Sequence, residues 1–172
     1  MAQTEASFNL TKRQEEALTV LGSPATDILL EGGSRSGKTL LILRAISIRA
    51  IAAPMSRHVV LREHFNHVKT AVVLDTWPKM LSLCFPGLDV KLDRTDWYAL
   101  FPNGAEVWFG GLDDKARTEK ILGKEYASIF FNEVSQINWS TRNIAMTRLA
   151  QRCPFKDRDG TEHFLRLKAY YD

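Results

Sequence analysis

Residues 32–39 read Gly32-Gly33-Ser34-Arg35-Ser36-Gly37-Lys38-Thr39. They fit the phosphate-loop pattern G-x-x-x-x-G-K-S/T. The glycines let the backbone wrap a chain of phosphates, with successive N–H groups aimed at its oxygens. Lys38 is placed to reach the β- and γ-phosphates, and Thr39 to set a hydroxyl on Mg²⁺. A helix starting here adds the positive end of its dipole. The flanks supply the required context. Ile28-Leu29-Leu30 is a compact apolar run, read as a buried strand, and Lys38 to Ala53 reads as a helix stopped by Pro54. The expected ligands are ATP and Mg²⁺.

Such an ATPase also needs a carboxylate on the Mg²⁺ shell and a base for the attacking water. Both are expected at the end of a buried strand beside the phosphate-loop strand. Ser128-Ile129-Phe130-Phe131-Asn132-Glu133 has that form, an apolar run ending in polar residues. Glu133 is the candidate base. Asn132 stands where Asp is usual. Its amide can accept a hydrogen bond from metal-bound water but stabilises charge less, and Mg²⁺ takes most of its ligands from water and phosphate.

Outward from these motifs, residues 11–21 read as a short helix with Thr11 as N-cap. Arg57–Leu61 reads as a strand. Helices are expected over Asn66–Asp75 and Pro78–Cys84, since proline suits a first helical position. Residues 97–101 and 105–109 flank Pro102-Asn103-Gly104, a hairpin signal because Asn-Gly tolerates positive φ. Tyr126–Phe131 reads as a strand and 140–152 as a helix with Ser140 as N-cap. After a polar loop at Lys156–Glu162, Phe164–Tyr171 alternates and reads as one final strand. The order predicts an α/β fold: a P-loop NTPase with a mostly parallel central sheet flanked by helices, plus a β-hairpin.

The chain of 172 residues suits one domain with its own core. With 45% hydrophobic and 25% charged residues, it is neither a disordered nor a fibrous sequence. The net charge of +3 arises in the first half, with 10 basic and 7 acidic residues over 1–86 against 13 and 13 over 87–172. That balance does not mark a nucleic-acid coat protein. From Gly32 to Arg62 there are six basic residues and no acid. Arg35 and Lys38 have a phosphate to meet. For Arg44, Arg49, Arg57 and Arg62 a solvated face is favoured over a DNA-facing patch. Cys84 and Cys153 form no metal spacing and no disulfide framework, which fits a reducing compartment. Met1–Glu5 does not read as a signal peptide, and Leu40–Met55, broken by Arg44 and Arg49, reads as a buried helix and not as a membrane span. His58, His64, His67 and His163 make no metal set. Trp97, Trp108 and Phe109 read as core in preference to base-stacking residues.

Taken together, the sequence resembles the ATPase domain of the large terminase subunit of tailed bacteriophages over most of its length. Leu10-Thr11-Lys12-Arg13-Gln14 is similar to the family's adenine-binding segment, and Gly32–Thr39, with Arg35 inside, to its arginine-bearing phosphate loop. Phe101–Ala105 and Phe109–Asp114 resemble its middle strands. Glu119–Gly123 followed by Ile129–Glu133 resembles the approach to its acidic motif. The resemblance implies a motor that drives double-stranded viral DNA into a procapsid by ATP hydrolysis. It implies a homo-oligomeric ring docked on the portal protein, with the small terminase subunit as a partner, in the host cytoplasm and transiently at the procapsid. It implies that Gln14 contacts adenine and that Gly32, Gly33, Ser34, Arg35, Ser36, Gly37, Lys38 and Thr39 hold the nucleotide. Thr39 and Asn132 face the metal, Arg35 meets the γ-phosphate, Glu133 is catalytic, and Arg117 is the candidate finger supplied to a neighbouring subunit. The family continues with a coupling motif, further ATPase helices and a nuclease domain. The expectation here is a single ATPase domain over 1–172, truncated on its C-terminal side, without a nuclease. Two alternatives stand beside it: an ATP-binding or assembly module with little turnover, and a helicase-type ATPase.

Overall fold

The structure, a computed structural model, describes residues 9–172; the reading of Met1–Glu5 lies outside them. In chain order the elements are α1 (Lys12–Gly22), β1 (Asp27–Leu29), α2 (Lys38–Ala52), β2 (Arg57–Arg62) and α3 (Phe65–His67). A π-helical stretch over Val68–Thr76 leads into α4 (Trp77–Cys84), then β3 (Lys91–Asp93), β4 (Tyr98–Leu100) and β5 (Glu106–Gly111). The chain ends with α5 (Lys115–Leu122), β6 (Ser128–Phe131), α6 (Trp139–Met146), β7 (Pro154–Lys156), β8 (Glu162–Phe164) and β9 (Lys168–Tyr171).

Seven strands form the central sheet in the order β1-β9-β6-β2-β5-β4-β3. The five from β1 to β5 pair in parallel, and β4 and β3 extend the edge antiparallel. The parallel strands are apolar on both faces because helices cover both. Their period of two sorts the side chains. Val60, Phe109, Phe130 and Tyr170 join Ile42, Leu43 and Ile46 of α2 and Met80 of α4 in one core. Val59, Leu61, Ile129 and Phe131 join Ile121 of α5 and Ala145 of α6 in the other. Trp108 and Phe109 are buried and Trp97 packs on the first core, as the core reading expects.

The fold class matches the sequence reading, and so does the hairpin, where Tyr98 pairs with Trp108 and Gly104 in the turn takes positive φ, at 80°. Thr11 caps α1 as expected, in a capping box with Gln14. Several boundaries differ. The strand leading to Glu133 is not beside the phosphate-loop strand: β9 lies between β1 and β6. The expected single strand over Phe164–Tyr171 is two elements, since β8 pairs with β7 in a separate hairpin formed from the polar loop. The last helix ends at Met146 and is capped by Asn138, whose side chain accepts from Ser140 N at 2.9 Å. Pro78 does not separate two helices, because helical structure is continuous from Phe65 to Cys84. The wider π winding absorbs the break, with Trp77 N–H donating to Val72 O. The short elements β3 and α5 were not expected from periodicity.

Candidate functional site

The site lies where the carboxyl ends of the parallel strands meet the start of α2. Open α/β sheets bind ligands at that edge. A cleft of about 730 Å³ opens there, lined by Gly32, Ser34–Thr39, Glu133 and Asp172, with Asp75, Thr76 and Lys79 from the π-helical stretch and α4. That volume is in the range of small-molecule sites.

The loop is shaped by backbone that only particular residues adopt easily. Gly32 has φ 150° and Gly37 φ 87°, and Arg35 takes φ 62° at the exposed tip. A Cβ on Gly37 would strain that positive φ and would displace the Gln14 amide nitrogen, 2.9 Å away at the end of a flexible side chain. Lys38 Nζ donates to Gly32 O at 2.9 Å, Gly33 O at 3.1 Å and Ser36 Oγ at 3.3 Å. Its ammonium therefore sits over its own loop. Gln14 does not line the cleft. Its Oε1 accepts from Thr11 N and its Nε2 donates to Ser36 O at 3.0 Å, so it ties α1 to the loop from behind.

Opposite the loop, Asn132 is 2% exposed and Glu133 is exposed. Glu133 holds φ 55°, a left-handed conformation uncommon for a non-glycine residue and concentrated at functional sites. Its carboxylate lies 4.0 Å from the Arg62 guanidinium at the end of β2. Arg62 also donates to Asn132 Oδ1 at 3.4 Å.

Two residues that the sequence reading missed complete the picture. Asp172, just past β9, accepts from Thr39 Oγ1 at 2.7 Å and from the Glu133 backbone N–H at 2.8 Å. Arg62 was assigned to a solvated face, yet its side chain is 15% exposed and turned to the site. The signal available for both was the one used for Glu133, a polar residue directly after an apolar strand. Arg49 of the same run also departs from the solvated reading, held by Ser128 Oγ at 2.8 Å and by Ala127 O. Arg57 keeps to it, 40% exposed while it pairs with Glu106 at 3.4 Å.

Arg117 does not line this cleft. It lies on α5 with its guanidinium 4.2 Å from the Phe65 ring centre, beside a separate pocket that includes Trp97 and Lys120. The α5 helix follows β5, four strand positions from β1, or roughly 19 Å at the usual strand spacing.

A phosphate loop that joins a short strand to a helix and opens on the carboxyl edge of a parallel sheet defines the P-loop NTPase class of fold. Within that class, residues 29–154 match the family described as "Terminase large subunit, T4likevirus-type, N-terminal", and the chain belongs to that family. Solved large terminases share the fold. That of a thermophilic bacteriophage aligns with TM-score 0.73 at 20% identity, over 95% of this chain and 38% of its own length. The bacteriophage HK97 large terminase gives 0.58 at 15% identity, over 96% and 33%. The large terminase ATPase domain of a Thermus phage gives 0.57 at 16% identity, over 96% and 65%. This chain thus spans well under half the length of the first two. The thermophilic phage protein has also been solved with ADP and with ATP-γ-S. No curated protein matches the chain in sequence. Among the described residues no helix is long and apolar enough to cross a membrane.

Proposed function

We propose that this chain is the ATP-hydrolysing module of a phage DNA-packaging motor. The observation that carries the reading is the convergence of Lys38, Thr39 and Glu133 on one cleft at the start of α2. Lys38 exchanges its loop carbonyls for β- and γ-phosphate oxygens. Arg35 at the loop tip adds a second cation, and the loop N–H groups with the α2 terminus offset the remaining negative charge. Glu133 orients the attacking water and takes its proton on a carboxylate oxygen. Arg62 holds that carboxylate in place until nucleotide binds. Gln14 meets adenine by giving up its bond to the loop.

The residues present suit a magnesium ion. Thr39 offers a hydroxyl within 2.7 Å of a carboxylate, a set of hard oxygen donors. Among the described residues no cluster of three or more His, Cys, Asp or Glu forms a protein-only metal cage. Mg²⁺ needs none, since it completes its shell with water and phosphate. When bound it supplies charge neutralisation on the phosphates.

Double-stranded DNA, the portal protein, the small terminase subunit and further copies of this chain in a ring are the proposed partners. The proposed location is the host cytoplasm and, transiently, the procapsid portal. Residues 1–172 are proposed to act as one ATPase domain. Steady-state ATP hydrolysis tests the reading. Glu133→Gln should keep nucleotide binding and lose turnover by about 10²–10⁴-fold, the range for a positioned base. Loss of binding as well would make Glu133 structural. Undiminished turnover in Lys38→Ala would sink the phosphate-loop assignment. A second reading, binding with little turnover, is favoured by the amide of Asn132 at the usual carboxylate position. It predicts bound ATP and no Glu133-dependent hydrolysis.

A further inference from the structure

Asn132 cannot act as the acceptor its position suggests. Arg62 only donates, so the amide oxygen Oδ1 must be the atom that faces it, at 3.4 Å. The Asp172 carboxylate only accepts, so Nδ2 must face Oδ1 and Oδ2 of Asp172, at 3.0 and 3.2 Å. Both neighbours fix the same orientation of the amide. Asn132 therefore turns its NH₂ group toward Thr39, whose Oγ1 lies 3.4 Å away. An NH₂ group repels a cation and holds no metal-bound water by accepting from it. This replaces the expectation that Asn132 faces the metal as an acceptor.

The carboxylate at that place comes from the next strand. Because β9 is inserted between β1 and β6, its end opens directly on the first turn of α2. Asp172 is the acid bonded to Thr39, and it is fixed by the Asn132 amide and the Glu133 backbone N–H. We propose that Asp172, and not Asn132, is the acidic residue of the divalent-cation shell in this site, with Asn132 as the amide that positions it. The inference rests on the nucleotide reading of the cleft. It moves the negative charge one strand toward the phosphate loop without changing the number of carboxylates. Mg²⁺ sites beside phosphates use one or two.

The test is equilibrium binding of a fluorescent ATP analogue to the full chain, titrated with Mg²⁺ and in excess EDTA. The readout is the enhancement of affinity by Mg²⁺, which does not depend on turnover. Asp172→Asn should lower that enhancement at least tenfold. The double exchange Asn132→Asp with Asp172→Asn returns one carboxylate to the pair and should recover it to within about threefold. An enhancement in Asp172→Asn within twofold of the wild type overturns the inference, as does failure of the double exchange to recover it. Binding in EDTA also reports whether each variant is folded, and should Asp172→Asn not fold, the double exchange carries the test alone. Failure of the nucleotide reading looks different. In that case the wild type binds no analogue in either condition, and Lys38→Ala changes nothing.

Discussion

His58 occupies the middle of the sheet, fully buried on β2, with Nε2 2.9 Å from Ser56 Oγ and Nδ1 without a hydrogen bond. Burial first, and the Arg49 charge second, lower its pKa to about 3. The folded protein thus keeps this ring neutral at pH values where the unfolded chain protonates it, below its ordinary value of about 6.5. The stability contribution is complete above that value and is lost as pH falls toward 3, by about 1.4 kcal/mol per pH unit. Urea midpoints at pH 7 and pH 4.5 check this. His58→Gln, which cannot take up the proton, should lose about 3 kcal/mol less between the two conditions than the wild type. Equal losses would show that carboxylates alone set the acid limb. At this scale Glu133 was legible because an apolar run ends on it. His58 was not, because nothing local tells a buried ring from an exposed one.

The hairpin β4–β5 is an element whose turn does more than reverse the chain. Asn103 Nδ2 donates to Ala50 O at 2.9 Å and Ile51 O at 3.0 Å, and its Oδ1 accepts from Ala105 N at 3.1 Å. One side chain closes the turn and covers two carbonyls at the end of α2, which have no partner within the helix. Asn103→Ala should cost about 1–2 kcal/mol, seen as a lower urea midpoint at unchanged slope. A midpoint within the error of the wild type would mean that water replaces both bonds. The hairpin itself could be read from Asn-Gly between two apolar runs. The long helical stretch from Phe65 to Cys84 could not, because Pro78 signals a boundary by local rules. The π winding that tolerates it also brings Asp75 and Thr76 to the cleft.

Across the whole molecule, the proposed site gathers at one end of the sheet, while Arg117 lies at the same edge beyond β5. Its guanidinium rests on Phe65, a contact worth about 0.5–1 kcal/mol at an exposed place, weak enough to exchange. The proposed ring assigns Arg117 to the cleft of a neighbouring copy. Turnover per chain should then rise with protein concentration, and Arg117→Ala should flatten that rise while leaving nucleotide affinity near the wild-type value. A concentration series of steady-state rates measures it. The same steep rise in Arg117→Ala would remove Arg117 from the mechanism.

The phosphate loop, the hairpin and the strand leading to Glu133 were readable along the chain because each is local: a glycine spacing, a turn dipeptide, an apolar run with a polar end. Periodicity and element order were enough for the parallel α/β class. Strand order was not, because β1 and β9 are far apart in sequence and their pairing leaves no local mark. From that pairing follow the placing of Asp172 against Thr39 and the turning of the Asn132 amide, while the equally non-local pairing of β2 with β6 brings Arg62 to the site. Each depends on which strand ends meet in space. That is decided by the packing of the two cores on the sheet.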